Sequence, residues 1–88
     1  MKVVKVENLN ITRYIFVCPA CECNHFFQTE GTVEWSWNKD TEKPTVLPSI
    51  RVRVNETICH FYIKKGKIQY LKDCTHKYAG KTIKMEEI

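Results

Sequence analysis

The cysteines and histidines of this chain fall into three short clusters, and this grouping constrains the fold more than any other feature. The clusters are Cys18-Pro19-Ala20-Cys21-Glu22-Cys23-Asn24-His25, Cys59-His60 and Cys74-Thr75-His76. A C-x-x-C pair that is joined by two sulfur or nitrogen ligands from a distant segment is a common way for a small domain to bind Zn²⁺. The sequence therefore predicts a metal site that ties distant parts of the chain together.

The length of 88 residues predicts one domain. With the metal site and the strand patterns described below, we expect a single zinc-binding β domain over residues 1–88. A domain of this size buries only about 60–65% of the surface of its unfolded chain, so a metal or self-association often completes its stability. No apolar run reaches the roughly 18 residues that span a bilayer, and no secretory signal is recognisable. We therefore expect a cytoplasmic protein with reduced thiols, no membrane association and the option of a homo-oligomer.

Short β-type patterns follow one another along the chain. An apolar run, Tyr14–Val17, leads directly into the first Cys cluster, and alternating apolar residues mark further strands at Val4, Val6, Leu9; Val33, Trp35, Trp37; and Ile50, Val52, Val54. Asn38–Pro48 is the longest predicted loop. The pattern predicts a mainly β fold, a small antiparallel sheet or partial barrel with a zinc knuckle and a C-terminal hairpin.

The hairpin is the clearest local prediction. Lys65-Gly66 is a two-residue turn with glycine where a positive φ is needed, and it pairs Lys64 with Lys67. Because side chains alternate along a strand, one face carries Cys59, Phe61, Ile63, Ile68, Tyr70 and Cys74. The other face carries Ile58, His60, Tyr62, Gln69, Leu71 and Asp73. We expect the first face to be buried, with His60 and Asp73 together on the second.

The predicted metal ligands begin with the knuckle residues Cys18 and Cys21. The face argument adds Cys59, with either His76 or Cys74 as the fourth ligand, and Cys23 is a spare thiol. A redox pair or unligated thiols are the alternatives for Cys18 and Cys21, but a redox pair expects a βαβ context, and none is visible in this sequence.

A second group remains after these assignments, namely His25, His60 and Asp73. Two imidazoles and a carboxylate can form a second, open metal site or an acid–base pair. The alternative is structural, with His60 packed on Tyr62 or bonded to a ligating cysteine.

Charge and aromatic residues suggest a binding surface. Residues 1–44 hold five Lys/Arg against six Asp/Glu, whereas residues 45–88 hold nine against four, a basic half that can face a polyanion. Trp35, Trp37, Arg51 and Arg53 can form a stacking platform, although aromatic residues are first of all core material. The metalloprotease motif H-E-x-x-H, a Gly-rich phosphate loop and the hydrolase motif G-x-S-x-G are absent from the sequence.

Several motifs in a fixed order resemble a family of small uncharacterised phage and prophage proteins, a domain of unknown function whose members often carry the label "ammonia monooxygenase". The motifs are Phe16–Cys21, Trp35–Asn38, Lys43–Ile50, Cys59–Phe61 with Gly66–Gln69, and Asp73–His76 with Ala79–Thr82. The resemblance implies a phage-encoded metal-binding protein in the host bacterial cytoplasm. It favours Cys59 and His76 over Cys74 as ligands and brings no established activity.

The sequence thus predicts one Zn²⁺ bound by Cys18, Cys21, Cys59 and His76, with His25, His60, Asp73 and Cys74 in reserve. The function expected is a non-catalytic module that binds a nucleic acid, a nucleotide or a host protein. The alternative is a metal-dependent hydrolase that uses His25, His60 and Asp73.

Overall fold

The computed structural model describes residues 1–8, 10–30 and 35–88, which form two antiparallel sheets. The first sheet has the order β1-β2-β3 and the second has the order β4-β5-β6-β7-β8. The strands are β1 Val4–Asn8, β2 Ile11–Cys18, β3 Cys23–Phe27, β4 Ser36–Trp37, β5 Val46–Val54, β6 Thr57–Lys64, β7 Lys67–Tyr70 and β8 Thr82–Lys84. The prediction of a mainly β, antiparallel fold is confirmed. Two residues assigned to predicted strands, Leu9 and Val33, lie outside the described residues.

The first sheet delivers the knuckle. The apolar run Tyr14–Val17 is the second half of β2, and Cys18 at its end pairs with Cys23 at the start of β3. The turn between them is closed by a hydrogen bond from the Glu22 amide to the Cys18 carbonyl (2.8 Å). Glu22 has a φ of 56°, which lets the chain reverse tightly after Cys21.

The β6–β7 hairpin has the predicted register, with Lys64 opposite Lys67 and Phe61 opposite Tyr70. Lys65 and Gly66 both have positive φ, 48° and 79°, as a two-residue hairpin turn of this kind requires. A Cβ on Gly66 would lie 3.1 Å from the Glu42 carbonyl oxygen, so the neighbouring loop also favours glycine here.

Strand β5 begins earlier than predicted and is irregular. It starts at Val46, inside the loop expected to run to Pro48, because Val46 pairs with Ile63. The next regular pair is Ile50 with Phe61, so three residues of β5 lie opposite one residue of β6. Pro48 is tolerated within the strand because it falls in this irregular stretch, where no regular ladder pair is formed. The two extra residues keep Val46 and Ile50 on the same, buried face.

The core lies between the two sheets. Phe16 and Phe27 of the first sheet and Phe61 and Ile63 of the second are all fully buried. The rings of Phe16 and Phe61 meet edge to face at 5.7 Å between centroids, a favourable arrangement of aromatic pairs. Burial alternates along β6 as predicted, with Cys59, Phe61 and Ile63 inside.

The opposite side of the second sheet is open to solvent, and we call it the outer face. Pair register and alternation place on it Ser49, Arg51, Arg53, His60, Tyr62, Lys64, Lys67, Gln69, Thr82 and Lys84. All of these side chains are exposed or half-buried. In the described part of the chain, no helix is long and apolar enough to cross a membrane.

Candidate active site and metal centre

Four side chains from the knuckle and from strands β3 and β6 converge at the junction of the sheets. Cys18 and Cys21 come from the knuckle, His25 from β3 and Cys59 from β6, and their ligand atoms all lie within 4.8 Å of one another. Cys18, His25 and Cys59 are buried, and Cys21 is half-buried. Three sulfur atoms and one imidazole at this spacing are a donor set that can hold a metal ion.

The polar atoms of this cluster lie in contact with one another and with Tyr70. The Sγ atoms of Cys18 and Cys59 lie 3.8 Å apart, and the Tyr70 hydroxyl lies 3.2 Å from Cys18 Sγ. His25 is held between aromatic rings, stacked on Phe61 at 5.9 Å and edge-on to Phe16 at 6.1 Å. Among the described residues its buried Nε2 has no hydrogen-bond partner, an arrangement that costs stability unless a ligand such as a metal ion satisfies the nitrogen.

The thiols of the cluster differ in acidity. Hydrogen bonding, chiefly from Cys59, lowers the pKa of the Cys18 thiol to about 3 despite its burial. Burial raises the pKa of Cys21 to about 11, and the hydrogen bond to Cys18 raises the pKa of the Cys59 thiol. Of the three thiols, that of Cys18 is therefore the most readily ionised, and the thiolate is the form that binds a metal ion.

The other residues considered as ligands lie elsewhere. His76 is outside the group of four; its ring packs edge-on against Tyr70 at 4.7 Å, and its Nδ1 accepts a hydrogen bond from the Tyr78 amide (3.2 Å). Cys74 bonds to the backbone of His60, and Cys23 is exposed. Of the reserve residues, His25 is the one that the structure brings to Cys18, Cys21 and Cys59.

A second constellation lies on the outer face, where Ser49, His60 and Asp73 form a continuous chain of hydrogen bonds. Ser49 Oγ lies 3.0 Å from His60 Nε2. His60 Nδ1 lies 3.0 and 3.2 Å from the two carboxylate oxygens of Asp73. A hydroxyl, an imidazole and a carboxylate in this order are the parts of a nucleophile, a general base and a group that orients the base.

The pKa of Asp73 is consistent with an Asp73 carboxylate that orients the imidazole of His60. The hydrogen bond from His60 is the main cause that lowers the pKa of the Asp73 carboxyl, so Asp73 is ionised at neutral pH. A carboxylate only accepts hydrogen bonds, so His60 Nδ1 must carry the proton. In the neutral ring Nε2 is then free to accept the proton of Ser49 Oγ.

Neighbouring strands position the three residues. Ser49 is on β5, His60 on the adjacent β6, and Asp73 follows β7. The His60 backbone is fixed from the Asp73 side, since its amide donates to Cys74 Sγ (3.2 Å) and its carbonyl accepts from the Leu71 amide (2.8 Å).

Ser49 is fixed from the opposite side of the sheet. Its carbonyl accepts a hydrogen bond from the indole Nε1 of Trp35 (3.3 Å). Sequence reasoning placed His60 and Asp73 on one face but missed Ser49. The available signal was composition: the chain has two serines, and Ser49 opens an alternating strand that could pair with the His60 strand.

The predicted stacking platform is divided between two surfaces. Trp35 and Trp37 pack on the core, and the Trp37 ring contacts Tyr14 (4.7 Å) and Phe27 (5.7 Å). Arg51 and Arg53 lie on the outer face, because the side chains of β5 alternate between the two sides.

Comparison with known protein families assigns the chain to a family. A family model described as "Bacterial ubiquitination-like system serine protease (BubE)" matches residues 2–71 of the 88. The chain belongs to the BubE family. The match contains Ser49, His60 and the four-residue Cys/His cluster, and it ends two residues before Asp73. No curated protein and no solved structure matches the chain.

BubE membership corrects two predictions. The resemblance to uncharacterised phage and prophage proteins assigned the chain to the wrong family. The predicted function, a non-catalytic binding module or a metal-dependent hydrolase built on His25, His60 and Asp73, is also wrong, because BubE is described as a serine protease family. The physical reason for the second error is that His25 belongs to the thiol cluster, whereas His60 and Asp73 face Ser49. Binding to a nucleic acid, a nucleotide or a host protein stays a prediction. Self-association also stays a prediction.

Proposed function

We propose that this protein is a serine protease whose nucleophile is Ser49, whose general base is His60 and whose orienting carboxylate is Asp73. The observation that carries the proposal is the pair of 3.0 Å contacts that His60 makes through its two ring nitrogens, one to Ser49 Oγ and one to Asp73 Oδ2. Triads of this kind are defined by geometry and roles, and their order along the chain differs between unrelated folds.

The chemistry follows from these contacts. Ser49 Oγ attacks the carbonyl carbon of the scissile bond while His60 Nε2 takes the hydroxyl proton. His60 then gives that proton to the leaving amine or alcohol, and an acyl group remains on Ser49. Water, deprotonated by His60, attacks the acyl group and releases the acid together with the free serine. The Asp73 carboxylate holds the Nδ1–H and stabilises the imidazolium that forms twice in each cycle.

The family description supports a substrate class. BubE is described as part of a bacterial ubiquitination-like system. We propose that this chain hydrolyses acyl linkages made or processed in such a system, in which the carbonyl of one polypeptide is bonded to the amine or hydroxyl of another molecule. The half-buried Ser49 on an open sheet face is accessible to a polypeptide of this kind.

The second component of the proposal is a zinc ion bound by Cys18, Cys21, His25 and Cys59. Three thiolates and one imidazole form a closed, four-ligand set that is typical of structural zinc, and the unpartnered His25 Nε2 is satisfied by such an ion. When bound, the ion contributes to folding by joining the knuckle of the first sheet to β6 of the second. It takes no part in the proton transfers, which occur on the outer face.

The experiment uses the two serines of the chain as a matched pair. An alkyl fluorophosphonate, which reacts with activated serines, should label Ser49 and leave the exposed Ser36 unmodified, as read by peptide mass spectrometry. Ser49→Ala should abolish labelling and reduce the hydrolysis of a small activated ester by roughly 10⁴-fold or more. Ser36→Ala should retain both. If Ser49→Ala keeps its esterase activity, the assignment of Ser49 as the nucleophile is wrong.

A further inference from the structure

Away from the triad, the charged residues on the outer face are lysines and arginines. Lys64 on β6, Lys67 on β7 and Lys84 on β8 follow one another across neighbouring strands, because Lys64 pairs with Lys67 and Lys67 pairs with Lys84. Two further cations, Arg51 and Arg53, lie on β5. Asp73, the carboxylate of the proposed triad, is bonded to His60.

The lysines border a depression rather than a flat surface. A cavity of about 450 Å³ is lined by Lys43, Lys64, Lys65, Lys67, Gln69 and Thr82, which offer cations and polar groups without a carboxylate. Among the described residues, the carboxylates of Glu42 and Glu87 form salt bridges with the N-terminal amine or with Lys2, not with these lysines. Four cations at one cavity repel one another, and an anionic partner would relieve that repulsion.

The cavity and the triad share one surface. His60, Tyr62 and Lys64 are alternate residues of β6 and project from the same side. Lys64 is four residues from His60, so the two are roughly 14 Å apart along the strand. Tyr62 and Gln69 form the surface between them, and Lys64 Nζ lies 4.8 Å from the centre of the Tyr62 ring. An extended polypeptide with its scissile bond at Ser49 would thus reach the lysines about four residues away.

We infer that the basic cavity is a docking site for an acidic segment of the protein substrate, about four residues from the bond that Ser49 attacks. This inference rests on the proposed protease function and adds a substrate feature to it. Charge complementarity mainly increases the rate of encounter, so the preference should appear in kcat/KM and weaken with added salt.

The test uses internally quenched depsipeptides with a single ester bond, which fixes the point of cleavage. A run of glutamates is placed about four residues from the ester, on the acyl side in one peptide and on the leaving side in the other. Glutamine replaces glutamate in the matched peptides. At low salt we expect at least one glutamate peptide to exceed its glutamine counterpart in kcat/KM by about tenfold or more.

The charge-reversed double variant Lys64→Glu/Lys67→Glu should lose this preference and should instead favour a lysine-run peptide. Its hydrolysis of the glutamine peptides should be unchanged, because neither lysine contacts the triad. The control Lys5→Glu/Lys39→Glu makes the same change in net charge away from the outer face and should keep the preference. Equal rates for glutamate and glutamine peptides, or a preference that survives the reversal at Lys64 and Lys67, would overturn the inference.

A binding measurement distinguishes failure of this inference from failure of the protease proposal. Fluorescence anisotropy of the same peptides with Ser49→Ala measures docking without catalysis. If wild type cleaves no ester but the variant still binds glutamate peptides through Lys64 and Lys67, the protease proposal fails and the docking site stands. If a single-stranded oligonucleotide of matched charge binds as tightly as the glutamate peptide, the assignment to an acidic polypeptide is wrong.

Discussion

Cys59 and His60 are consecutive residues of β6 whose side chains project from opposite faces of the sheet. Cys59 points into the buried thiol cluster, and His60 points to Ser49 on the outer face. One strand therefore carries both a proposed zinc ligand and the proposed catalytic base. A change in the cluster that moves this part of β6 must move the base as well.

Removal of the metal should accordingly impair both folding and catalysis. Cys59→Ser or extraction of the ion with a chelator leaves the remaining ligands without a closed site. We expect the midpoint of thermal unfolding to fall by about 10–20 °C, which for a domain of this size corresponds to roughly 2–3 kcal/mol. Esterase activity should fall with it. Calorimetry, zinc content and ester hydrolysis are the measurements.

Cys23→Ser is the matched control for this prediction. Cys23 belongs to the same knuckle but is exposed and lies outside the cluster. Its variant should keep one zinc ion per chain, the wild-type unfolding temperature and full activity. If Cys59→Ser unfolds at the temperature of the wild type, the structural role of the site is disproved.

Asp73→Asn should lower kcat strongly without unfolding the protein. An amide side chain can donate to His60 Nδ1 and so favour the tautomer that cannot take the Ser49 proton. We expect a loss of roughly 10³-fold or more in kcat with little change in the zinc content. Steady-state ester kinetics give the result, and a variant with near wild-type kcat would exclude Asp73 from the triad.

A comparison of wild type with Asp73→Asn should also reveal a pH effect on stability. The pKa of Asp73 in the folded state is lowered from its ordinary value of 3.8. Its ionised form is therefore favoured by folding, and the resulting stability is present above that value and lost as the pH falls through the lower, folded-state pKa. The difference in unfolding temperature between wild type and Asp73→Asn should be constant near neutrality and shrink below about pH 4. A difference that does not change on acidification would contradict this linkage.

We expect Cys74 to position the proposed base, His60. Its Sγ accepts the His60 amide (3.2 Å) and also lies 3.1 Å from the His60 carbonyl. Cys74→Ala should leave that amide unpaired, at a cost of about 1–3 kcal/mol in unfolding free energy, and should lower kcat more than it changes KM. Cys74→Ser keeps a donor and an acceptor and should restore much of the kcat. Equal stability losses and equal kcat in the two variants would argue against a positioning role.

Trp35 should affect catalysis through the backbone of the nucleophile. Trp35→Phe removes the indole N–H that donates to the Ser49 carbonyl (3.3 Å) while keeping most of the aromatic packing. The lost hydrogen bond is worth about 1 kcal/mol. We expect a decrease of up to about tenfold in kcat and a small decrease in unfolding temperature. Trp37→Phe is the control, since Trp37 packs on Tyr14 and Phe27 and has no bond to Ser49.

Local signals in the sequence were sufficient to predict the β6–β7 hairpin and the side chains on each of its two faces. Lys65-Gly66 defined the turn, the turn defined the register of Lys64 with Lys67, and alternation then placed Cys59 inside and His60 outside. The convergence of the knuckle with Cys59 followed from the chemistry of thiol ligands. These features depend on neighbouring residues or on residue type, which a single sequence displays directly.

The positions of Ser49 and His25 depend on the register of two hairpins, β5–β6 and β2–β3, whose turns contain no glycine to define it. Ser49 reaches His60 only because β5 lies beside β6 with its register shifted by two residues. His25 joins the cluster because the knuckle turn folds β3 back along β2, which sets His25 opposite Phe16. Neither register is defined by a turn motif such as Lys65-Gly66, so the contact between Ser49 and His60 became visible only with the sheet assembled.

The register shift also restricts how the chain can vary in length. Val46 and Ile50 remain in the core because the irregular stretch between them contains two extra residues. Loss or gain of a single residue there would rotate either Ser49 or its buried neighbours to the wrong side. We therefore expect insertions and deletions between Val46 and Ile50 to preserve the contact between Ser49 and His60 only when they add or remove an even number of residues.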